Sequence, residues 1–164
     1  YETDTIDYRM VRSTLLLLSE KCCRALRSAG LAATRVAVKL RHSDFNTCMK
    51  FRALAVPTDQ EQVVYRAACE LFEGLLDRGV RIRLVGISLS GLVSAGCQGE
   101  LFQGDSVSPL KADSLNESLD LIRERFGFSA ITRGSTMGLR GTTARGLLDT
   151  ERARGASECK KPRI

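Results

Sequence analysis

Apolar residues recur at helical spacing near the start of the chain. Val11, Leu15, Leu18, Cys22 and Leu26 fall at steps of three and four, one face of a helix over residues 5–28. Asp4, Thr5 and Asp7 can cap its start, Arg24 and Arg27 suit its negative C-terminal end, and Gly30 stops it. The period then changes to two. Val36, Val38 and Leu40 point one way and Arg35, Lys39 and Arg41 the other, which predicts a strand over residues 34–42. Ser43-Asp44-Phe45 is the turn, residues 46–54 return, and Pro57 ends that strand. Thr58-Asp59-Gln60-Glu61 has the form of a capping box opening a second helix. Val64, Ala68, Leu71 and Leu75 are its buried stripe, and Gly79 follows its last turn. Residues 80–90 make a further strand, with Val85, Ile87 and Leu89 on one face.

Helix, hairpin, helix and strand over residues 1–92 predict a two-layer α+β domain, two amphipathic helices on one face of a mostly antiparallel sheet. Residues 93–112 are rich in Ser, Gly and Gln and read as a linker carrying a short apolar pair. A third helix follows over 113–126, with Leu115, Leu119, Ile122 and Phe126 as its stripe. From 127 to 164 the chain has little to bury and is expected to be a flexible, basic tail. A length of 164 residues suits one compact domain with appendages. The chain opens at Tyr1 with neither a Met nor a signal-peptide pattern, so we expect a fragment of something longer.

Charge and cysteines narrow the function classes. Residues 127–164 hold eight Lys/Arg against three Asp/Glu, leaving 17 against 16 for residues 1–126, so the folded part is nearly neutral. Its strands are not. Residues 34–54 and 80–90 carry Arg35, Lys39, Arg41, Lys50, Arg52, Arg81 and Arg83 against Asp44 alone, which puts the acids mostly on the helices. A basic sheet face with no helix left to cover it suits a polyphosphate backbone. The candidates for phosphate contact are Lys39, Arg41, Lys50, Arg52, Arg81 and Arg83, with hydroxyls from Thr47, Ser88 and Ser90. Gly86 either lets a backbone N–H approach closely or marks a strand irregularity. Residues 15–18, the longest aliphatic run, fall far short of the roughly 20 residues of a membrane span, so no membrane partner is expected. The six cysteines, Cys22-Cys23 adjacent and the others scattered, form no zinc pattern with the single His and read as reduced thiols of a cytoplasmic protein.

Catalytic residues are expected to be absent: nothing supplies a nucleophile–base pair, a metal set or a phosphate loop, and His42 reads as a strand-end His. An RNA-binding module that stacks bases on its sheet needs exposed aromatics, for which only Phe45 and Phe51 qualify. A stand-alone nucleic-acid-binding or protein-interaction module is the alternative, the latter leaving the basic face unexplained.

At the strands the chain resembles a known family. Val36-Ala37-Val38-Lys39-Leu40-Arg41-His42-Ser43-Asp44-Phe45-Asn46-Thr47, then Lys50-Phe51-Arg52 and Pro57-Thr58, looks like the hairpin of the little finger domain of Y-family DNA polymerases, bacterial polymerase IV type. Val80-Arg81-Ile82-Arg83-Leu84-Val85-Gly86-Ile87-Ser88-Leu89-Ser90-Gly91-Leu92 resembles that domain's last strand. The resemblance covers residues 1 to about 135. It implies a βαββαβ domain, lacking most of its first strand, whose sheet holds primer–template DNA in the major groove during translesion synthesis and DNA repair, in a bacterial cytoplasm. Lys50 stands where Arg is usual, and Phe51 and Ala53 replace small hydroxyl residues. The palm is absent, so nucleotidyl transfer and its Mg2+ belong to the parent protein, and no cofactor is expected here. Gln98-Gly99-Glu100-Leu101-Phe102 resembles the short peptide by which bacterial polymerases bind the sliding clamp, with Gln98, Leu101 and Phe102 as its contacts. In the family the last strand lies between the first and second. Loss of the first is therefore expected to expose an edge that pairs with a second copy or is covered by the linker.

Overall fold

The computed structural model describes residues 4–76, 79–95 and 109–139, with the side chains of 109–113 and 138 excepted. Helix α1 (Tyr8–Ser28) leads into strands β1 (Leu31–His42) and β2 (Thr47–Thr58), helix α2 (Glu61–Glu73), strand β3 (Ile82–Ser94) and helix α3 (Pro109–Phe126). Two 3-10 turns follow, Phe128–Ala130 and Gly134–Leu139. The strands form one antiparallel sheet in the order β2-β1-β3. Both α1 and α2 pack on one face of it, as the α+β reading requires.

The core lies between that face and the helices. Val36, Val38 and Leu40 of β1 are fully buried against Val11, Leu15 and Cys23 of α1 and Val64, Ala68 and Phe72 of α2. Each large aliphatic removed from water this way contributes about 1.5–3 kcal/mol relative to exposure. Val85, Ile87 and Leu89 sit opposite Leu40, Val38 and Val36 and extend the same apolar layer.

Several local expectations shift. Helix α1 begins at Tyr8 because Asp7 caps it, accepting from the Arg9 amide at 2.9 Å and the Met10 amide at 3.4 Å, while Thr5 pairs as extended chain with Ile82. Cys23, not Cys22, is the buried cysteine, one step around the helix from the expected stripe. Strand β2 runs through Pro57 to Thr58. It is an edge strand with a register shift, where two steps of β1 (Ala33 to Arg35) face five of β2 (Ala53 to Thr58), and an edge tolerates a residue with no N–H. The capping box does not form: Gln60 is the N-cap but its side chain makes no capping bond, and Glu61 is buried on Arg133 instead. Gly74 rather than Gly79 ends α2.

The largest departure is α3. Its expected apolar stripe faces outward, with Leu115, Ile122 and Phe126 exposed, while Asn116 and Arg123 are buried. The reason is the surface it meets. Arg27 of α1 forks onto Asp120 with bonds of 2.6 and 3.1 Å, and Asn116 donates to Gln60 at 2.9 Å. Glu20, 1 % exposed in the middle of α1, accepts from Arg123 at 3.1 Å and from Arg133 at 2.6 Å. Arg123 also lies 4.5 Å above the Phe128 ring. Residues 128–139, expected to be part of a flexible tail, therefore pack on α1, with Thr136 and Leu139 buried.

Candidate nucleic-acid interface

Strand pairing assigns each sheet residue to a face, because partners directly across a ladder share one. On the face away from the helices, the register gives four rows across β2, β1 and β3. They are Ala53–Arg35–Ser90, Phe51–Ala37–Ser88, Met49–Lys39–Gly86 and Thr47–Arg41–Leu84. No acidic side chain stands among them. Three cations line the central strand, two hydroxyls line β3, and the Arg41 Nε donates to Thr47 Oγ1 at 3.0 Å. Of the candidate contacts, Lys39, Arg41, Thr47, Gly86, Ser88 and Ser90 thus share one uncovered surface, and Arg35 joins them. Among the described residues, Gly86 meets no atom within 4 Å of where a Cβ would stand, so none of them demands a glycine there.

Lys50 and Arg52 do not share that surface. They lie opposite Val38 and Val36, on the helix side of the sheet. Lys50 Nζ caps the end of α2 at the Gly74 carbonyl, and Arg52 pairs with Glu70 of α2. Because β2 extends beyond the cover of the helices, its helix-side positions are half wet and accept cations. Inward-pointing charges of this kind also discourage another strand from adding to an edge. The seven strand cations thereby divide into three on the open face of β1, Arg81 and Arg83 at its rim, and Lys50 and Arg52 on the helix side.

Arg81 and Arg83 are at that rim. Arg83 fills the irregularity where Arg41 pairs with Leu84 but His42 with Ile82. Its guanidinium lies 4.5 Å above the ring of Phe45, and Asp4 stands 3.8 Å away. Phe45 holds the turn in the left-handed region (φ 64°), with the Asn46 amide donating to Asp44 Oδ1 at 2.9 Å. Arg81 is exposed, and its carbonyl accepts from the Ser43 amide at 3.0 Å, which ties the start of β3 to the hairpin tip. His42 is buried beside Ile82 at the end of β1, a strand-end residue. Burial pushes the half-buried Cys22 and Cys69 thiols up and the Cys23 thiol in the core up to about 12, so their thiolate forms are scarce. Among the described residues no group of three His, Cys, Asp or Glu converges on a metal position. No helix among them is long and apolar enough to cross a membrane. Gln98, Leu101 and Phe102 lie outside the described residues.

Residues 1–101 match the family described as the impB/mucB/samB family C-terminal domain. The chain is 33 % identical over 143 residues to a protein named DNA polymerase IV from Dehalococcoides mccartyi, covering 85 % of this chain and 35 % of that one. It is 37 % identical over 131 residues to DNA polymerase IV 2 of Bacillus subtilis, covering 77 % and 31 %. It therefore spans about a third of the length of the curated relatives it matches. A solved structure, DinB from Sulfolobus solfataricus, overlaps 52 % of this chain and 26 % of its own with a TM-score of 0.41 and 22 % identity. On the match of its first 101 residues, the chain belongs to the impB/mucB/samB family by its C-terminal domain, the little finger of the Y-family DNA polymerases.

Proposed function

We propose that this chain is the DNA-holding module of a Y-family DNA polymerase that works in translesion synthesis. The observation that carries the reading is the register. It gathers Arg35, Lys39, Arg41, Thr47, Ser88 and Ser90 on one open face without an acid, although they come from three strands. Cations and hydroxyls directed at phosphates fix a protein on DNA without reading its sequence, which suits a polymerase that accepts any template. Polymerization itself, and the Mg2+ it implies, are assigned to the rest of the parent protein, because this chain spans only about a third of the length of its relatives. We assign sliding-clamp binding to Gln98, Leu101 and Phe102 on their sequence alone.

Binding of the chain to labelled duplex DNA, followed by anisotropy across a salt series, tests the reading. Log affinity is expected to fall linearly with log salt, by about 0.9 per neutralised phosphate. Lys39→Ala and Arg41→Ala should each reduce the slope by about one. A slope untouched by both substitutions, or a marked preference for one base sequence, overturns it.

A further inference from the structure

The open face carries a second chemistry beside its cations. Phe51 is 72 % exposed and Met49 63 %, neighbours on the outer side of β2, where successive outward residues stand two apart. Among the described residues neither a cation nor an aromatic stacks on Phe51, whereas Phe45 is already covered by Arg83. The rows explain why the ring stands free. Beside Phe51 comes Ala37 and then Ser88, and beside Met49, across Lys39, comes Gly86. The result is a shallow floor of small residues with an apolar wall on the β2 side, and Arg35, Lys39 and Arg41 along its length. Lys39 and Arg41 are about 6.7 Å apart by strand geometry, close to the separation of neighbouring phosphates along one nucleic-acid strand.

A ligand that matches this surface must be anionic at regular intervals and must also present a flat apolar face. Duplex DNA offers the first and hides the second, because its bases are stacked on one another. A strand with unpaired nucleotides offers both. We infer that Phe51, with Met49 beside it, is a stacking site for the base of an unpaired nucleotide whose phosphates lie on Lys39 and Arg41. The face then takes single-stranded or frayed DNA better than a uniform duplex grip would. The inference rests on the nucleic-acid reading above and adds to it the state of the strand that is preferred.

The test compares a labelled oligothymidine with a duplex of equal length, binding each to the 164-residue chain and its variants. Phe51→Ala is expected to weaken single-strand binding about tenfold, within the range that stacking one base allows. Duplex binding and both salt slopes should stay nearly unchanged. Phe51→Trp should retain single-strand affinity, and Phe51→Thr, which preserves strand propensity, should lose it as Phe51→Ala does. A 2-aminopurine in the oligonucleotide reports the contact directly, through quenching that disappears with Phe51→Ala. If Phe51→Ala leaves single-strand binding intact while Lys39→Ala and Arg41→Ala weaken it, the stacking site is overturned and the backbone grip stands. Equal losses on both substrates overturn it as well. If none of these substitutions matters and binding is independent of salt, the backbone grip has failed and the stacking site falls with it.

Discussion

Thr5 and Ile82 exchange both of their backbone hydrogen bonds, Thr5 N to Ile82 O at 2.9 Å and Ile82 N to Thr5 O at 2.8 Å. This antiparallel bridge lies on the side of β3 away from β1, and among the described residues it is the sole pairing there. The remaining outward groups of β3 form a template for another strand. We expect the chain to self-associate through this edge. In amide exchange, Ile82 should be protected at every concentration, while the alternate amides of β3 that point away from β1 become protected only as concentration rises. Fast exchange at those amides at all concentrations, in a chain that sediments as a monomer, would rule this out.

The two inward cations of β2 should behave unlike the outward cations of β1. Lys50→Ala and Arg52→Ala are expected to leave the salt slope of DNA binding unchanged, since their charges are directed at α2. Arg52 and Glu70 are both half exposed, so loss of that pair should move stability by less than about 1 kcal/mol. A drop in slope equal to that of Lys39→Ala would put Lys50 on the DNA after all.

Glu20 and Arg123 are an almost fully buried ion pair that holds α3 on α1. Glu20→Leu leaves the Arg123 guanidinium buried without a carboxylate and should cost about 3–5 kcal/mol in urea unfolding, whereas Arg123→Met leaves Glu20 still paired with Arg133 and should cost less. The double variant should recover much of that loss. Additive losses would show that the pair is not coupled.

Cys23 should resist alkylation. With its thiol held at about 12 by burial, almost none is thiolate at pH 8, and a raised value keeps the reactive form scarce until the solution is strongly alkaline. Iodoacetamide should modify it at least about a hundredfold more slowly in the native chain than in urea. Mass spectrometry after a timed quench reads this, and comparable rates in the two states would contradict the buried placement.

For the clamp peptide, Leu101→Ala combined with Phe102→Ala is expected to abolish binding to a sliding clamp and to leave DNA affinity and melting temperature unchanged. A large fall in melting temperature would instead assign the pair to the domain's own packing.

Residue patterning alone was enough to assign the types of the main elements and the inner face of the central strand. Val36, Val38 and Leu40 alternate with Arg35, Lys39 and Arg41, and a strand whose faces differ that sharply in polarity has one way to sit on a core. Helices α1 and α2 were legible for the same reason, at a period near 3.6, to within a few residues at their ends. Periodicity could not orient β2. Cys48, Lys50 and Arg52 alternate with Met49, Phe51 and Ala53, so polarity alone would turn Met49 and Phe51 to the core, and only pairing with β1 sends the two cations toward α2 instead. Nor could it orient α3, whose apolar stripe is real but is not the docking face. That helix meets Glu20, Arg27 and Gln60, groups whose burial requires partners, and satisfying them outweighs burying Leu115, Ile122 and Phe126. A local pattern records what a segment prefers to bury on its own account. Which surface it is offered is decided by the rest of the chain, and only the tertiary structure states it.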